Sequence, residues 1–403
     1  MKIAIMGFGT VGSGVEEILY KKRKSLLKNN FDIEIDRILI KDKSKKRSPL
    51  NKDLIFTDNF KEILNSEVDT VIDVTSSLEE TYERILYLMK AGKNIISANK
   101  AVVSKYFEEL NELARANNVY FSYEASVAAA IPIIHPMMEE VFFNDINKIC
   151  GILNGTSNYI LSKMEKEGLS YDVVLKKAQD LGYAEADPTA DVGGFDAMRK
   201  IRILSSLLYN AKINQEDILT FGISTIQKSD LDYAKKMGYS IRLLAKSKLD
   251  GGKLNISVIP TFLKDNFFAK TFKGSNAIKV WGENFSSYEL KGPGAGKLET
   301  ADAILRDLLR IFSAREIKTF YDGTNSYELE NNCLGKYYLR TSKISSKLEN
   351  LIDKEEILAG AHHIITKETS LDKLKAAILD IDEVFIAKIE EEIWNFRRQE
   401  IQI

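Results

Sequence analysis

An α/β fold is predicted for this chain: a doubly wound parallel sheet, then a second domain of α+β type, then a small α/β module. Three observations carry the prediction. Residues 2–6, KIAIM, form a short apolar run followed at once by glycines at 7, 9 and 12 and by a helical pattern with Val11, Val15, Ile18 and Leu19 on one face. Apolar runs and helix-period segments then alternate up to about residue 134, the order of strand–helix–strand units. Later strand-like stretches at 241–249, 254–260 and 277–282 supply a separate sheet for the second domain.

Composition removes several function classes. A chain of 403 residues suggests two or three domains, and 44% apolar residues suffice for ordinary cores. The formal net charge of -1 gives no electrostatic footprint for nucleic acid or an anionic membrane. Cys150 and Cys333 build no disulfide framework, which fits a reducing compartment. His135, His362 and His363 are not spaced as a zinc ligand set. No apolar run reaches transmembrane length, and the opening run is too short for a signal segment. The expectation is a cytoplasmic protein.

Strand, Gly7-Phe8-Gly9-Thr10-Val11-Gly12, helix is the context a dinucleotide fingerprint requires, and it makes the first domain Rossmann-type. Gly7 permits the tight turn, Gly9 lets the backbone approach the pyrophosphate, and Gly12 lets helix pack on strand. The helix N-terminus then faces phosphate charge. The second strand, IDRILI at 35–40, is expected to end beside the adenosine ribose. Lys41, Asp42, Lys43, Lys45, Lys46 and Arg47 follow it. An acid there favours NAD and a basic group favours NADP, so both stay open, with a lean to NADP through Lys41. A solvated basic loop is the alternative. VDTVIDVTSS (68–77) reads as a buried strand with Thr75 and Ser76 at its end. NIISANKAVVS (94–104) reads as a strand that breaks at 98–100, setting Lys100 beyond a strand's carboxyl end, where ligands of such sheets sit; a surface lysine is the plain alternative.

The stretch 178–200, AQDLGYAEADPTADVGGFDAMRK, concentrates acids between fixed glycines and a proline. A helix is expected to end near Gly182, a loop to carry Glu185, Asp187 and Asp191, and a second helix to begin near Gly194. That helix sets Asp196 and Lys200 four residues apart on one face. A surface ion pair is the plain alternative.

The pattern Ala178, Gly182, Tyr183, Ala184, Asp187, Pro188, Asp191, Val192, Gly194, Asp196 and Lys200 resembles the signature of homoserine dehydrogenases. Residues 149–162, ICGILNGTSNYILS, are similar to another family segment, as are Ser97-Ala98-Asn99-Lys100-Ala101 and the GPGAG turn at 292–296. Glu299 and Asp302 replace the family's usual proline and serine after that turn. The resemblance covers about residues 1–325. It implies NAD(P)H-dependent interconversion of L-aspartate 4-semialdehyde and L-homoserine, on the threonine and methionine route. It implies Lys100, Lys200 and Asp196 as catalytic residues. Neighbouring ammonium groups would lower one another's pKa and suit one of them to donate a proton. Glu185, Asp191, Gly182, Asn154 and Thr156 become substrate ligands. Gly7 to Gly12, Lys41, Thr75, Ser76, Ser97, Lys100 and Gly296 become cofactor ligands. The loop at 120–134 is similar to one that holds a monovalent cation such as Na⁺, through Glu124, Val127, Ala129 and Ile131. A plain strand-to-helix crossover is the alternative there.

The resemblance divides the chain into 1–134 plus 291–325 for the nucleotide, 135–290 for catalysis and dimerisation, and 333–403 for an ACT-like module. A homodimer or homotetramer is implied. Strands are read at KYYLRTSK, AGAHHIITKET and EVFIAKIEEE, with helices at SSKLENLID and SLDKLKAAILDI and one usual strand not evident. The acid-Pro-Gly turn of such effector modules is replaced by Lys343-Ile344-Ser345-Ser346-Lys347, so no threonine inhibition is expected. Two other functions remain open at this level: a dehydrogenase of another small amino-acid-derived aldehyde, and a non-catalytic nucleotide sensor.

Overall fold

The structure, a computed structural model, describes residues 1–313, 321–330 and 333–390. Two compact units form. One comprises Met1–Phe143, Arg202–Gln215 and the described residues of Gly292–Ser326. The other comprises Asn144–Ile201, Glu216–Lys291 and the described residues from Tyr327 on. Residues 202–215 join the first unit, although the sequence reading set them in the middle domain.

In the first unit the strands are β1 (Lys2–Met6), β2 (Glu34–Leu39), β3 (Phe56–Thr57), β4 (Thr70–Asp73), β5 (Asn94–Ser97) and β6 (Phe121–Ser122). They form one parallel sheet in the order β3-β2-β1-β4-β5-β6. The order reverses beside β1, which creates the crevice where doubly wound sheets take a dinucleotide. Both faces are covered, as a parallel sheet demands. Ile3 and Ile5 pack with Val15 of helix Thr10–Lys28 and Ile304 and Leu308 of helix Lys297–Phe312. Ala4 and Met6, pointing the other way, pack with Ile85, Leu88 and Leu110 of helices Glu79–Lys90 and Phe107–Ala116. Alternation along one strand therefore feeds two cores.

In the second unit the strands are β7 (Ile146–Ile152), β8 (Leu219–Thr220), β9 (Ser240–Asp250), β10 (Lys253–Leu263), β11 (Ser275–Gly282) and β12 (Tyr288–Pro293). Then come β13 (Glu328–Leu329), β14 (Lys336–Thr341), β15 (Ile352–Leu358), β16 (Ala361–Thr366) and β17 (Phe385–Ile389). The sheet runs β12-β11-β7-β9-β10-β17-β14-β16-β15, with β8 and β13 also on β10. The last four strands and helices Ser346–Glu349 and Leu371–Ile378 form a split βαββαβ motif. Two expectations are corrected here. The missing strand exists as β15, joined to β16 through Ala359 and Gly360, both at positive φ. And the module is no island: β17 pairs in parallel with β10, so its sheet continues that of the middle segment. The expected 333–403 segment ends in residues 391–403, which lie outside those described, as do 314–320 of the 291–325 segment. Among the described residues no helix is long and apolar enough to cross a membrane.

Candidate active site

The glycine turn after β1 is shaped by steric necessity. Gly7 has φ +103, a conformation that strains any side chain, and a Cβ there would meet the Val74 carbonyl oxygen at 3.0 Å. A Cβ on Gly12 would overlap the Gly7 carbonyl oxygen. Gly9 has open space around it and caps helix Thr10–Lys28 without a side-chain hydrogen bond. The first-turn N–H groups are thus left for a ligand, and the cradle fits a pyrophosphate. Phe8 packs edge-on against Phe56 at 5.1 Å between ring centroids.

The carboxyl ends of β4 and β5 meet at Asp73, a residue the sequence reading passed over. Its buried carboxylate accepts from Thr75 N at 3.0 Å, Thr75 Oγ1 at 2.6 Å and Ser97 Oγ at 2.8 Å. Burial raises the Asp73 carboxyl above its ordinary range, against the pull of these donors. Thr75 and Ser97, expected to touch cofactor, have their hydroxyls engaged in this internal network, while Ser76 is exposed. Lys100 opens helix Lys100–Lys105, whose N-cap Asn99 accepts from Val102 N at 3.2 Å. Lys41, just past β2, is exposed and lies 3.5 Å from Glu80. Arg47 folds back, donating to the carbonyls of Asp42 and Lys45 at 2.8 and 2.7 Å. Gly296, at φ +151, caps helix Lys297–Phe312.

In the loop after β6, both Glu124 oxygens are taken. They accept from the main-chain N–H of Ile133, Ile134 and His135 at 2.6, 3.0 and 3.0 Å, and so cap helix Ile134–Glu140. Asp307 Oδ2 accepts from Glu124 N at 3.1 Å, and its Oδ1 lies 2.7 Å from His135 Nε2. Burial pushes the Asp307 carboxyl up to about 6. Ala128 and Ala129 adopt φ +58 and +50. The carbonyls of Ala128 and Ala130 accept from Ile131 N and Arg306 Nη2. Among the described residues, those of buried Val127, Ala129 and Ile131 accept no hydrogen bond.

The acid–lysine cluster lies in the second unit. Asn154 ends the segment after β7 and caps helix Gly155–Glu167, its Oδ1 accepting from Ser157 N at 2.7 Å. Its Nδ2 donates to Asp191 Oδ1 at 2.7 Å and to Asp196 Oδ2 at 2.9 Å. Asp196 is buried against Lys200 Nζ at 2.8 Å, and Lys200 also donates to the Leu153 carbonyl at 2.7 Å. Asn276 Nδ2 reaches the same carbonyl at 3.3 Å. A buried ammonium is thereby held against a carboxylate and a carbonyl, an arrangement that aims a proton donor. Asp191 sits on a short helix, Thr189–Val192, where a loop was expected. Gly194, at φ +84, starts helix Phe195–Tyr209. Thr156 Oγ1 donates to the Tyr183 carbonyl at 2.6 Å, and Asn158 to the carbonyls of Thr271 and Ser275, so both brace the fold. Gly182, at φ +77, and Glu185 are exposed. The sequence reading missed Leu153 and Asn276, since a carbonyl has no residue-type signal and Asn276 lies 76 residues beyond Lys200.

With this geometry in hand, comparison with known proteins is direct. Residues 7–124 match the family model "Homoserine dehydrogenase, NAD binding domain", and residues 132–309 match "Homoserine dehydrogenase". A homoserine dehydrogenase of Bacillus subtilis is 38% identical over 314 residues, covering 77% of this chain and 72% of the relative. One from Synechocystis is 37% identical over 352 residues, 85% of this chain and 80% of the relative. The solved homoserine dehydrogenase of Thiobacillus denitrificans superposes with TM-score 0.87 at 30% identity, across 97% of this chain and 98% of that one. A hyperthermophilic archaeal homoserine dehydrogenase in complex with NADPH superposes with TM-score 0.67 at 25% identity, over 79% of this chain and 99% of that one. The chain belongs to the homoserine dehydrogenase family, oxidoreductases with an NAD-binding domain.

Proposed function

We propose that the enzyme reduces L-aspartate 4-semialdehyde to L-homoserine, and the reverse, as a step towards threonine and methionine, with Lys200 as the proton donor. The observation that carries this is the buried Lys200–Asp196 pair, anchored by Asn154 and the Leu153 carbonyl. A bound nicotinamide cofactor supplies or takes the hydride. Lys200 stabilises the oxyanion developing on the aldehyde oxygen and delivers a proton to it. Asp196 keeps the ammonium oriented, and Asn154 locks both Asp196 and Asp191. Lys100 is carried as a second cationic residue, and Asp191 and Glu185 as acceptors for the substrate ammonium.

Gly7, Gly9, Gly12 and Gly296 would line the dinucleotide. Lys41, beyond β2, favours NADP, in keeping with the NADPH complex of the archaeal relative. A monovalent cation such as Na⁺ fits the carbonyls of Val127, Ala129 and Ile131, since buried carbonyls without donors are costly. Glu124 would act there by ordering the loop through its main-chain bonds. A homodimer is the expected assembly. The test is absorbance of the reduced nicotinamide with aspartate semialdehyde, run separately with NADPH and NADH. Turnover preferring NADPH is expected, and cofactor binding without turnover would end the proposal.

A further inference from the structure

We propose that Asp73 is a positioning residue for the reaction: it fastens the loops that leave β4 and β5 into one body and thereby sets the helix that opens with Lys100. The proposal rests on the reading of Lys100 as a second cationic residue of the site. Asp73 and Ser97 are register partners at the carboxyl ends of the two strands. Ala98 N donates to the Asp73 carbonyl at 2.9 Å, and beyond this bond side chains make the joins. Ser97 Oγ donates to Asp73 Oδ2 at 2.8 Å and accepts from Asn99 N at 3.1 Å. Asn99 Nδ2 then reaches across to the Ser77 carbonyl at 2.9 Å. On the other side Thr75 N and Oγ1 donate to Asp73 Oδ1 at 3.0 and 2.6 Å. A closed circuit results, from Asp73 through Ser97, Asn99 and Ser77 to Thr75 and back. Thr75 Oγ1 also lies 2.6 Å from Thr81 Oγ1, which ties in helix Glu79–Lys90.

A carboxylate at 73 orders this circuit because it only accepts. Ser97 gives its one proton to Asp73 and keeps its lone pairs for Asn99 N–H; Thr75 does the same, so Thr81 donates to Thr75. An amide at 73 would turn its NH₂ group towards Ser97, since Thr75 N–H needs the oxygen. The Ser97 proton would then lose its acceptor in a buried place. Asp73, Thr81, Ser97 and Asn99 are all buried, so the circuit is shielded from water. Its output is at Asn99. That residue caps helix Lys100–Lys105 through Val102 N at 3.2 Å, and Lys100 follows it directly. Asp73 thus holds the residue from which Lys100 projects, and it shares no residue with the Lys200 cluster.

The test is a double-mutant cycle on the full chain. Asp73→Asn and Ser97→Ala are each made in wild type and in Lys100→Met, and denaturant unfolding establishes that each variant is folded. Ser97→Ala, which cuts the same link from the other side, carries the cycle should Asp73→Asn not fold. The measurements are kcat and KM for aspartate semialdehyde and the dissociation constant of NADPH. In the wild-type background kcat should fall at least ~10-fold, within the ~10²-fold that a misplacement of about 1 Å costs, with NADPH binding unchanged. In the Lys100→Met background the same substitutions should lower kcat by no more than about twofold, because residues that act as a unit are not additive. Equal fold-losses in the two backgrounds would reveal a general effect on the fold and overturn the proposal. Wild-type kcat in both Asp73→Asn and Ser97→Ala would overturn it too, as would weakened NADPH binding with kcat at saturation unchanged. Wild-type kcat in Lys100→Met alone would instead end the reading of Lys100, and the proposal with it.

Discussion

The dinucleotide turn and the acid–lysine cluster are built from different materials. The turn is a backbone device: Gly7, Gly9 and Gly12 lie within six residues, and Gly7 and Gly12 act through the side chains they lack. The cluster is a side-chain device gathered from Leu153–Asn154, Asp191–Lys200 and Asn276, a span of 123 residues from first to last. The turn is set by local sterics and should fail through overlap. The cluster is set by buried charge and should fail through loss of a partner. Substitutions in the two regions should therefore separate binding from chemistry.

The largest effect is expected at Asp196. Asp196→Ala leaves the Lys200 ammonium buried without its carboxylate, which costs about 3–5 kcal/mol of stability. Denaturant unfolding reads this directly, and a cost below about 1 kcal/mol, the range of an exposed pair, would mean that the pair is solvated. Gly12→Ala drives a methyl into the Gly7 carbonyl, an overpacking worth about 1–3 kcal/mol. Its signature is weakened cofactor binding with the Lys200 cluster intact, measured by nicotinamide fluorescence titration. Asn154→Ala removes a helix cap worth about 1 kcal/mol and frees Asp191 and Asp196. Its kcat should fall more than its stability loss explains, and kcat unchanged at saturation would remove Asn154 from the site.

Asp307 supplies a pH test inside the first unit. Its folded carboxyl is raised to about 6 against an ordinary 3.8, so its contribution is full below 3.8 and is lost as pH rises through about 6. Stability of wild type relative to Asp307→Asn should therefore fall between those two values. A flat difference across that window would show that His135 compensates fully. The smallest effect is expected at exposed Lys41. Lys41→Ala should raise KM for NADPH several-fold and leave KM for NADH alone, and equal changes would detach Lys41 from the 2′-phosphate.

The contrast also explains what the sequence made legible. The parallel sheet and its glycine turn could be read because their signals are contiguous. The acid-rich loop announced Asp196 and Lys200, but resemblance was needed to join Asn154 to them. Strand β15 was overlooked because Asp353, Lys354, Glu355 and Glu356 hide its apolar pattern. Among the described residues it is the edge strand of its sheet, and charge suits an edge position. Asp73 was overlooked because a single acid inside an apolar run carries no spacing signal; its meaning appears only when β4 pairs with β5 and brings Ser97 beside it.

The central claim is that the cluster supplies chemistry and the turn supplies binding. Lys200→Ala measured for both properties on one preparation tests it most directly. The expected result is an NADPH dissociation constant equal to that of wild type, with kcat for aspartate semialdehyde reduced by about 10²–10⁴, the range for a lost general acid. Retention of more than about a tenth of wild-type kcat, a barrier change under ~1.4 kcal/mol, would contradict it, as would loss of NADPH binding together with turnover.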